Sequence, residues 1–256
     1  MSWLDLNADL GEGVGDDEAM LDIVTSANIA CGGHAGDETT MRTALRAAKA
    51  RGVVVGAHPG FADRENFGRL RLLLPPDELD ASLRQQVRTL VEIGEEEDWP
   101  VRYVKLHGAL ANMAAEEPAI MALCLAAIEG LVDDMAILAI DNSAQAEIAE
   151  AMGFCTIREA YADRAYQANG LLMPRQMPSA VLDDLPAITA RAVRFATSGE
   201  IVAADGTVIP TAARSLCIHG DTPDAVRIAR AVRDALGEAG VELRSAIWNR
   251  AASEVP

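Results

Sequence analysis

Histidine is the residue type in this sequence that points most directly to chemistry. Four histidines occur, and each follows a short apolar run of the kind that forms a β-strand: His34, His58, His107 and His219. Glycines lie within two residues of every one of them and allow a ligand to approach the backbone closely. Imidazole exchanges protons near neutral pH and binds metal ions. The sequence therefore predicts a site for acid–base or metal-assisted chemistry built from four strand ends.

Carboxylate, amide and ammonium groups are expected at the same strand ends. The first apolar run ends in Asn7 and Asp9, which alternation along a strand places on one face. Lys105 precedes His107 by two residues, so both side chains point to the same side of the sheet. An acid inside a barrel must be hydrogen-bonded, paired with a cation or bound to a metal. We therefore expect Asp9 and Lys105 to belong to the histidine site.

Strand-like apolar runs alternate with helical patterns along nearly the whole chain, and these elements must position the residues above. Such alternation is typical of βα units around a parallel sheet. Right-handed crossovers between seven such strands would close into a barrel, whose strand ends converge on one face. We predict a single α/β domain over residues 1–256, a seven-stranded TIM-like barrel. The predicted strands are Trp3 to Ala8, Ser26 to Ala30, Val53 to Ala57, Val101 to Lys105, Met135 to Ile140, Phe154 to Arg158 and Ser215 to Ile218.

One long segment, Ala160 to Pro178, is too polar and too rich in glycine, proline and arginine for core structure. It follows the sixth predicted strand, so it should emerge on the histidine face, and long loops of this kind are usually functional. Its arginines Arg164 and Arg175 can bind a carboxylate through two parallel hydrogen bonds. We predict that they hold a substrate carboxylate over the barrel mouth.

Charge and composition exclude several classes of protein. The formal net charge of -17 repels phosphate backbones and anionic membrane surfaces, so nucleic acid and membranes are unexpected partners. The first residues lack the basic and apolar regions of a signal peptide, and no apolar run is long enough to span a membrane. Four cysteines without a C-x-x-C pair argue against a disulfide framework or a structural zinc site. We expect a soluble cytoplasmic protein.

Six ordered motifs, spread from the first strand to the last histidine, are together more specific than any single glycine-rich string. In these motifs, given in the next sentence, the sequence resembles the LamB/YcsF family. The motifs are Asp5 to Gly13, Ser26 to Asp37, Gly56 to Phe61 running on to Phe67-Gly68-Arg69, Val104 to Leu110, Glu159 to Tyr166 with Leu172 to Arg175, and Cys217 to Asp221. The sequence departs from the family pattern at Leu106, Ala111 and Leu70. These departures leave Lys105 and His107 intact.

The resemblance implies a barrel related to the glycoside hydrolase/deacetylase group, serving as the A subunit of an ATP-dependent 5-oxoprolinase. Together with the B and C subunits, such a protein opens the lactam of 5-oxoproline to L-glutamate while ATP is hydrolysed. The sequence has no Walker-type G-x-x-x-x-G-K-[ST], so ATP is implied only through the complex.

Roles can be assigned for that reaction. We expect His58 or His107 to act as general base and acid, Asp9 to orient an imidazole, and Lys105 to stabilise negative charge on oxygen. The predicted substrate-binding residues are Asn7, Glu12, Asn28, His34, Arg164, Arg175, His219 and Asp221.

Two alternatives remain open from the sequence. A metal-dependent deacetylase-like hydrolase would use Asp9, His58 and His107 as ligands, because carboxylate and imidazole suit zinc, manganese or iron. The other alternative is a regulatory subunit without chemistry of its own, in which the histidines are structural.

Overall fold

Seven parallel strands form a closed barrel in the computed structural model, which describes residues 3–132, 134–220 and 224–247. The barrel strands are β1 (Trp3–Leu10), β2 (Ser26–Ala30), β3 (Val54–His58), β4 (Tyr103–Val104), β5 (Ala136–Ile140), β6 (Thr156–Tyr161) and β9 (Ser215–Ile218). Their order around the barrel is β1-β2-β3-β4-β5-β6-β9, and β9 pairs with β1 to close it. The predicted seven-stranded parallel barrel is confirmed.

Helices follow the strands and cover the outside of the barrel. They are α1 (Asp17–Leu21), α2 (Glu38–Arg51), α3 (Pro76–Glu96), α4 (Gly108–Glu116), α5 (Pro118–Ile128), α6 (Ala144–Ala151), α7 (Leu185–Ser198) and α8 (Ala225–Glu238). Asp37 begins α2 with a reciprocal capping box, and Gly52 ends it in the left-handed conformation that glycine adopts at low cost. Pro76 opens α3, the longest helix, where its missing N–H has no helical partner to lose.

Some strand boundaries differ from the prediction. β4 contains two residues instead of five, although the Lys105 and His107 amides still donate to Ala57 and Pro59 carbonyls at 2.9 Å. Pro59 has no N–H with which to return a bond, so the regular ladder ends. β6 starts and ends later than predicted and takes in Tyr161.

Three short strands outside the barrel were not predicted. The hairpin β7 (Glu200–Val202) and β8 (Val208–Pro210) turns through Asp205 and Gly206, and β10 (Glu242–Leu243) pairs with β1. Strands of two or three residues carry too little alternation to be recognised. In the described ranges, no helix is both long and apolar enough to cross a membrane.

Strand β1 shows how the barrel separates apolar from polar side chains. Leu4, Leu6, Ala8 and Leu10 belong to the hydrophobic core, whereas the alternate residues Asp5, Asn7 and Asp9 enter a network of polar side chains inside the barrel. All seven are buried. The interior polar network continues to the rim where the histidines lie.

Candidate active site

A cavity of about 330 Å³ opens at the carboxyl-terminal end of the barrel. Residues from β1, β3, β5 and β6 and the segments after β4 and β9 line it together with part of the long loop. The polar lining residues are Asp9, His58, Arg69, Arg71, Lys105, His107, Asn112, Glu116, Tyr161, Arg164, Arg175, Gln176 and His219.

Two histidines face each other at one end of the cavity. His58 Nδ1 lies 2.9 Å from the carbonyl oxygen of Lys105, and His107 Nε2 lies 2.9 Å from that of Phe67. A carbonyl oxygen accepts only, so each of these ring nitrogens carries a hydrogen and donates it. The opposite nitrogens, His58 Nε2 and His107 Nδ1, are 3.0 Å apart. In neutral rings both present lone pairs, so the short contact calls for a shared proton or a metal ion between them.

Glu12 and His34 complete a four-residue cluster with this pair. Glu12 Oε1 lies 3.1 Å from His34 Nε2 and 3.6 Å from His107 Nδ1, and the His34 ring stacks on the His107 ring at 3.5 Å. One ligand atom from each residue lies within 4.8 Å of the others. Ligands at about 2.1 Å from a tetrahedral ion are separated by about 3.4 Å, so this spacing suits a metal ion after a small adjustment.

The protonation of the cluster also favours a metal. Burial, together with the neighbouring His58, lowers the pKa of His34 to about 3. Burial and the other two histidines also hold the pKa of His107 well below its usual range. Both rings are therefore neutral at pH 7, the state in which imidazole binds metal ions. His34 Nδ1 is buried and has no hydrogen-bond partner among the described residues.

The loops around this cluster require glycine and one buried glutamine. A side chain at Gly68, which has φ +63°, would approach His34 Cβ to 2.7 Å and His107 Cδ2 to 3.0 Å. Gln86 of α3 accepts from the Gly60 amide and donates to its carbonyl at 3.1 and 2.8 Å. Nothing in the sequence distinguished Gln86 from the polar surface of its helix. It ties that helix to the loop that carries His58.

Lys105 and Asp9 form an ion pair beside the cluster. Lys105 Nζ lies 2.9 Å from Asp9 Oδ1, 3.0 Å from Cys217 Sγ and 3.3 Å from Glu159 Oε2. Burial by itself would lower the pKa of Lys105, but Asp9, Cys217 and Glu159 outweigh it and raise that pKa well above its usual range. Burial likewise opposes ionisation of Asp9, yet Lys105 and His58 hold the pKa of Asp9 well below normal. Both groups are charged at pH 7.

Asn7 and Asn28, predicted to bind substrate, lie below the cavity and hold this ion pair in place. Asn28 Nδ2 donates to Asn7 Oδ1 and to Asp9 Oδ1 at 2.8 Å, and Tyr103 donates to Asn28 Oδ1 at 2.6 Å. Among the described residues, Asn7, Asn28, Glu12 and His34 are not part of the cavity lining. The side-chain amides of Asn7 and Asn28 are bonded to other protein groups inside the barrel.

Several residues of this network were missed by sequence reasoning. Asp5 accepts from Thr25, Ser26 and Ser215, and burial raises its pKa. Glu159 accepts from Tyr161 at 2.7 Å. The alternation that identified Asn7 and Asp9 also places Asp5 on the inner face, and the same rule applied to β6 would have paired Glu159 with Tyr161.

The long loop does cover the cavity, since residues 172 to 176 line it. Arg164 is buried, and its Nε and Nη2 donate to the carbonyls of Ala180 and Met173 at 3.2 and 2.8 Å. Two of its donors therefore hold the loop rather than a ligand. Arg175 is half-buried in the lining. Both arginines thus lie in the cavity wall, and burial together with the nearby Arg175 lowers the pKa of Arg164.

The fourth histidine lies apart from the cluster. His219 lines the cavity, its ring stacks on Tyr161 at 5.4 Å, and its Nδ1 lies 3.0 Å from Asp163 Oδ1. Asp221, the last of the predicted substrate-binding residues, lies outside the described residues.

Fold and site together define a parallel barrel with a histidine-rich polar cavity at its carboxyl-terminal end. The model of the LamB/YcsF family matches residues 4–250, so the chain belongs to this family, as the sequence motifs indicated.

Solved structures agree with the family assignment. A lactam utilization protein from Thermus thermophilus is similar at 38% identity and a TM-score of 0.88, over 94% of this chain and 99% of that one. Two remote structures share the fold alone. A putative cellobiose-phosphate cleavage protein from Enterococcus faecalis has a TM-score of 0.56 at 10% identity, over 95% of this chain and 97% of that one. The catalytic domain of a peptidoglycan N-acetylglucosamine deacetylase from Eubacterium rectale has a TM-score of 0.50 at 8% identity, over 94% of this chain and 88% of that one.

Proposed function

We propose that the chain is the lactam-opening component, the A subunit, of an ATP-dependent 5-oxoprolinase that works with the B and C subunits. The observation that carries the proposal is family membership combined with 38% identity to a lactam utilization protein over nearly the whole length of both chains. The product of the reaction is L-glutamate. ATP is needed in this proposal because an unstrained amide resists water, and phosphorylation of the lactam oxygen would activate it. The partner subunits are proposed to bind the ATP.

The charge of the cavity supports an anionic substrate. The chain carries a net charge of -17, yet Arg69, Arg71, Lys105 and Arg175 are among the cavity-lining residues. A carboxylate such as that of 5-oxoproline is attracted to guanidinium groups, which match its two oxygens. Of the two arginines of the long loop, Arg175 is the proposed carboxylate contact, because Arg164 spends donors on the loop backbone.

The site is proposed to work as a metal-assisted hydrolase. Glu12, His34, His58 and His107 would hold a divalent ion, a ligand set that suits zinc, manganese or iron. Such an ion would supply Lewis-acid polarisation of a carbonyl oxygen or a more acidic water, provided that one coordination position is left to substrate or water. This ligand set shares His58 and His107 with the set proposed from sequence, but Glu12 and His34 take the place of Asp9. His58 and His107 then serve as ligands instead of as acid and base.

Lys105 and Asp9 have a supporting part in this proposal. The ammonium hydrogens of Lys105 point to Asp9, Cys217 and the Glu159 region, so the lysine acts on substrate through its positive field. Asp9 remains ionised at the cavity wall, 3.5 Å from His58 Nε2. It is placed to accept a hydrogen bond from a substrate N–H.

Reconstitution tests the proposed function. The purified chain is mixed with the B and C subunits, and glutamate release is followed with and without ATP, 5-oxoproline and a divalent metal. We expect release only when all components are present, and loss of release with Glu12→Gln. A matched control is Glu150→Gln, on the outer surface. Glutamate release by the B and C subunits alone at the full rate would refute a catalytic role and favour the regulatory alternative.

A further inference from the structure

His219 differs from the other three histidines of the sequence in what surrounds its ring nitrogens. The side chains of His34, His58 and His107 are at most 6% exposed and belong to the cluster that can hold a metal. The side chain of His219 is 12% exposed and lines the cavity. Among the described residues, none forms a hydrogen bond with its Nε2. This nitrogen is the imidazole atom that a bound substrate can reach.

A buried carboxylate fixes the tautomer and the orientation of His219. Both carboxylate oxygens of Asp163 lie close to His219 Nδ1, at 3.0 and 3.1 Å, and Asp163 Oδ2 also accepts from the His219 amide at 3.2 Å. Asp163 is 1% exposed. Burial would raise its pKa, but His219 and the hydrogen bonds outweigh burial and lower it. An ionised Asp163 accepts only, so Nδ1 carries a hydrogen and, in the neutral ring, Nε2 presents a lone pair.

The ring is also held from the side of the barrel. Tyr161 stacks on His219 with an interplanar angle of 24°, and the same tyrosine ring lies 5.3 Å from Lys105 Nζ. The strand end after β6 is locked to β9, since the Ala162 amide donates to the Cys217 carbonyl at 3.0 Å. His219 therefore has little rotational freedom in the cavity wall, and Nδ1 is the ring nitrogen that faces Asp163.

We infer that Asp163 and His219 form an acid–base dyad, in which His219 Nε2 transfers the proton during opening of a cyclic amide. This inference rests on the proposed function, and it replaces the substrate-binding role predicted for His219. A histidine oriented by a buried carboxylate at Nδ1, with Nε2 directed at the substrate, is the arrangement that hydrolases use for proton transfer. His219 touches substrate and is catalytic, whereas Asp163 is a positioning residue.

The proton balance closes within the dyad. His219 Nε2 accepts a proton from the water molecule as its oxygen bonds to the amide carbon, and the imidazolium is stabilised by Asp163. The carbon–nitrogen bond then breaks, and the same proton passes from Nε2 to the departing ring nitrogen. The product of this step has an amine in place of the amide nitrogen and an acyl phosphate at the carbon, because the phosphoryl group that activates the lactam oxygen stays on it. A second water molecule then releases inorganic phosphate and leaves the carboxyl group. His219 returns to its neutral form, so no additional acid or oxidant is needed.

Three substitutions of His219 separate proton transfer from structure. His219→Asn keeps a donor near the Nδ1 position for Asp163 but removes Nε2, and His219→Gln places an amide near Nε2. We expect both to lower kcat for glutamate release in the assembled complex by about 10²–10⁴-fold while the metal content is unchanged. The kcat of His219→Ala should fall as far, and added imidazole should partly restore it. Retention of more than a third of the wild-type kcat by His219→Asn overturns the inference.

Asp163→Asn tests the positioning role against a matched buried carboxylate. An asparagine amide favours the wrong imidazole tautomer, so kcat should fall about 10²-fold or more, with a smaller change in KM. The control is Asp141→Asn, at a carboxylate that is likewise buried and accepts from Arg158 and Thr211 away from the cavity. It should lower the melting temperature and leave kcat within about threefold. Equal effects of the two variants on kcat would overturn the positioning role.

A chemical probe keeps the dyad testable apart from the proposed function. Diethyl pyrocarbonate, which acylates accessible neutral imidazole, should modify His219 of the wild-type chain before the other three histidines, as followed by peptide mass spectrometry. Modification of His34, His58 or His107 first would overturn the inference whatever the substrate. If the wild-type complex releases no glutamate, the proposed function fails, and the dyad is then judged by this order of modification.

Discussion

His58 Nε2 and His107 Nδ1 face each other at 3.0 Å, and the other nitrogen of each ring is held by a backbone carbonyl. Backbone carbonyls thus decide which nitrogens carry hydrogen, and the two lone pairs converge beside Glu12. Metal-binding histidines are oriented by such outer partners. The proposed ligand set therefore has an orientation that the backbone carbonyls of the barrel loops already fix.

Metal binding by this cluster gives the first prediction. We expect the purified protein, after dialysis against trace zinc or manganese, to retain close to one ion per chain by inductively coupled plasma mass spectrometry. His34→Ala removes a ligand and should reduce affinity at least about tenfold in a chelator competition. Glu150→Gln, on the surface, serves as control and should bind like the wild type. Metal-free wild-type protein after such loading would contradict the ligand assignment.

Gly68 provides a second prediction, because its position has no room for a side chain. Gly68→Ala has φ +63° and would press on His34 Cβ and His107 Cδ2. Gly130 has φ +73° but nothing within 4 Å of an added Cβ, so Gly130→Ala reports backbone strain alone, about 1 kcal/mol. We expect only Gly68→Ala to weaken metal binding and activity. Indistinguishable metal affinities would show that the loop adjusts without moving the histidines.

The two lysines of the chain form a matched pair for the third prediction. Lys105→Met leaves buried Asp9 and Glu159 without their cation and should lower the free energy of unfolding by about 3–5 kcal/mol at pH 7. Lys49→Met removes an exposed pair with Asp98 and should cost at most about 1 kcal/mol. The difference between the two variants follows from burial, since Lys105 is only 3% exposed.

The same variant has a defined pH dependence. In the wild type the pKa of Asp9 is depressed, because Lys105 and His58 outweigh burial. The stability from this pair is therefore present above the unfolded pKa of about 3.9 and is lost only as pH falls through the lower folded value. Without Lys105, protonation of Asp9 relieves an unpaired buried charge. The gap in unfolding free energy between wild type and Lys105→Met should narrow from pH 7 to pH 5 in urea titrations, and a constant gap would contradict the ion-pair account.

Sequence patterns predicted the barrel and the position of the histidines because both depend on local signals. Apolar runs and the glycines after them locate strand ends, and parallel closure brings those ends together. Partners far apart in sequence escaped prediction, such as Asp163 with His219 and Gln86 with Gly60. The sequence also did not distinguish residues that bind to other side chains inside the barrel from residues that line the cavity. Asn7 and Asn28 have the residue types of a substrate site, but only the fold shows that their amides are used inside the barrel.

The last prediction concerns the long loop and its two arginines. Arg175→Lys should raise the KM for 5-oxoproline about tenfold, with kcat much less affected, because an ammonium cannot match a carboxylate with two parallel bonds. Arg164→Lys should act differently. It removes the guanidinium donors from the carbonyls of Ala180 and Met173, of which Ala180 keeps the Ala165 amide, and should lower stability by about 1–3 kcal/mol, seen as a lower melting temperature. Steady-state kinetics of the assembled complex and thermal unfolding of the isolated chain separate the two roles. An unchanged KM in Arg175→Lys would remove Arg175 from carboxylate recognition and leave Arg69, Arg71 and Arg164 as the other guanidinium groups of the lining.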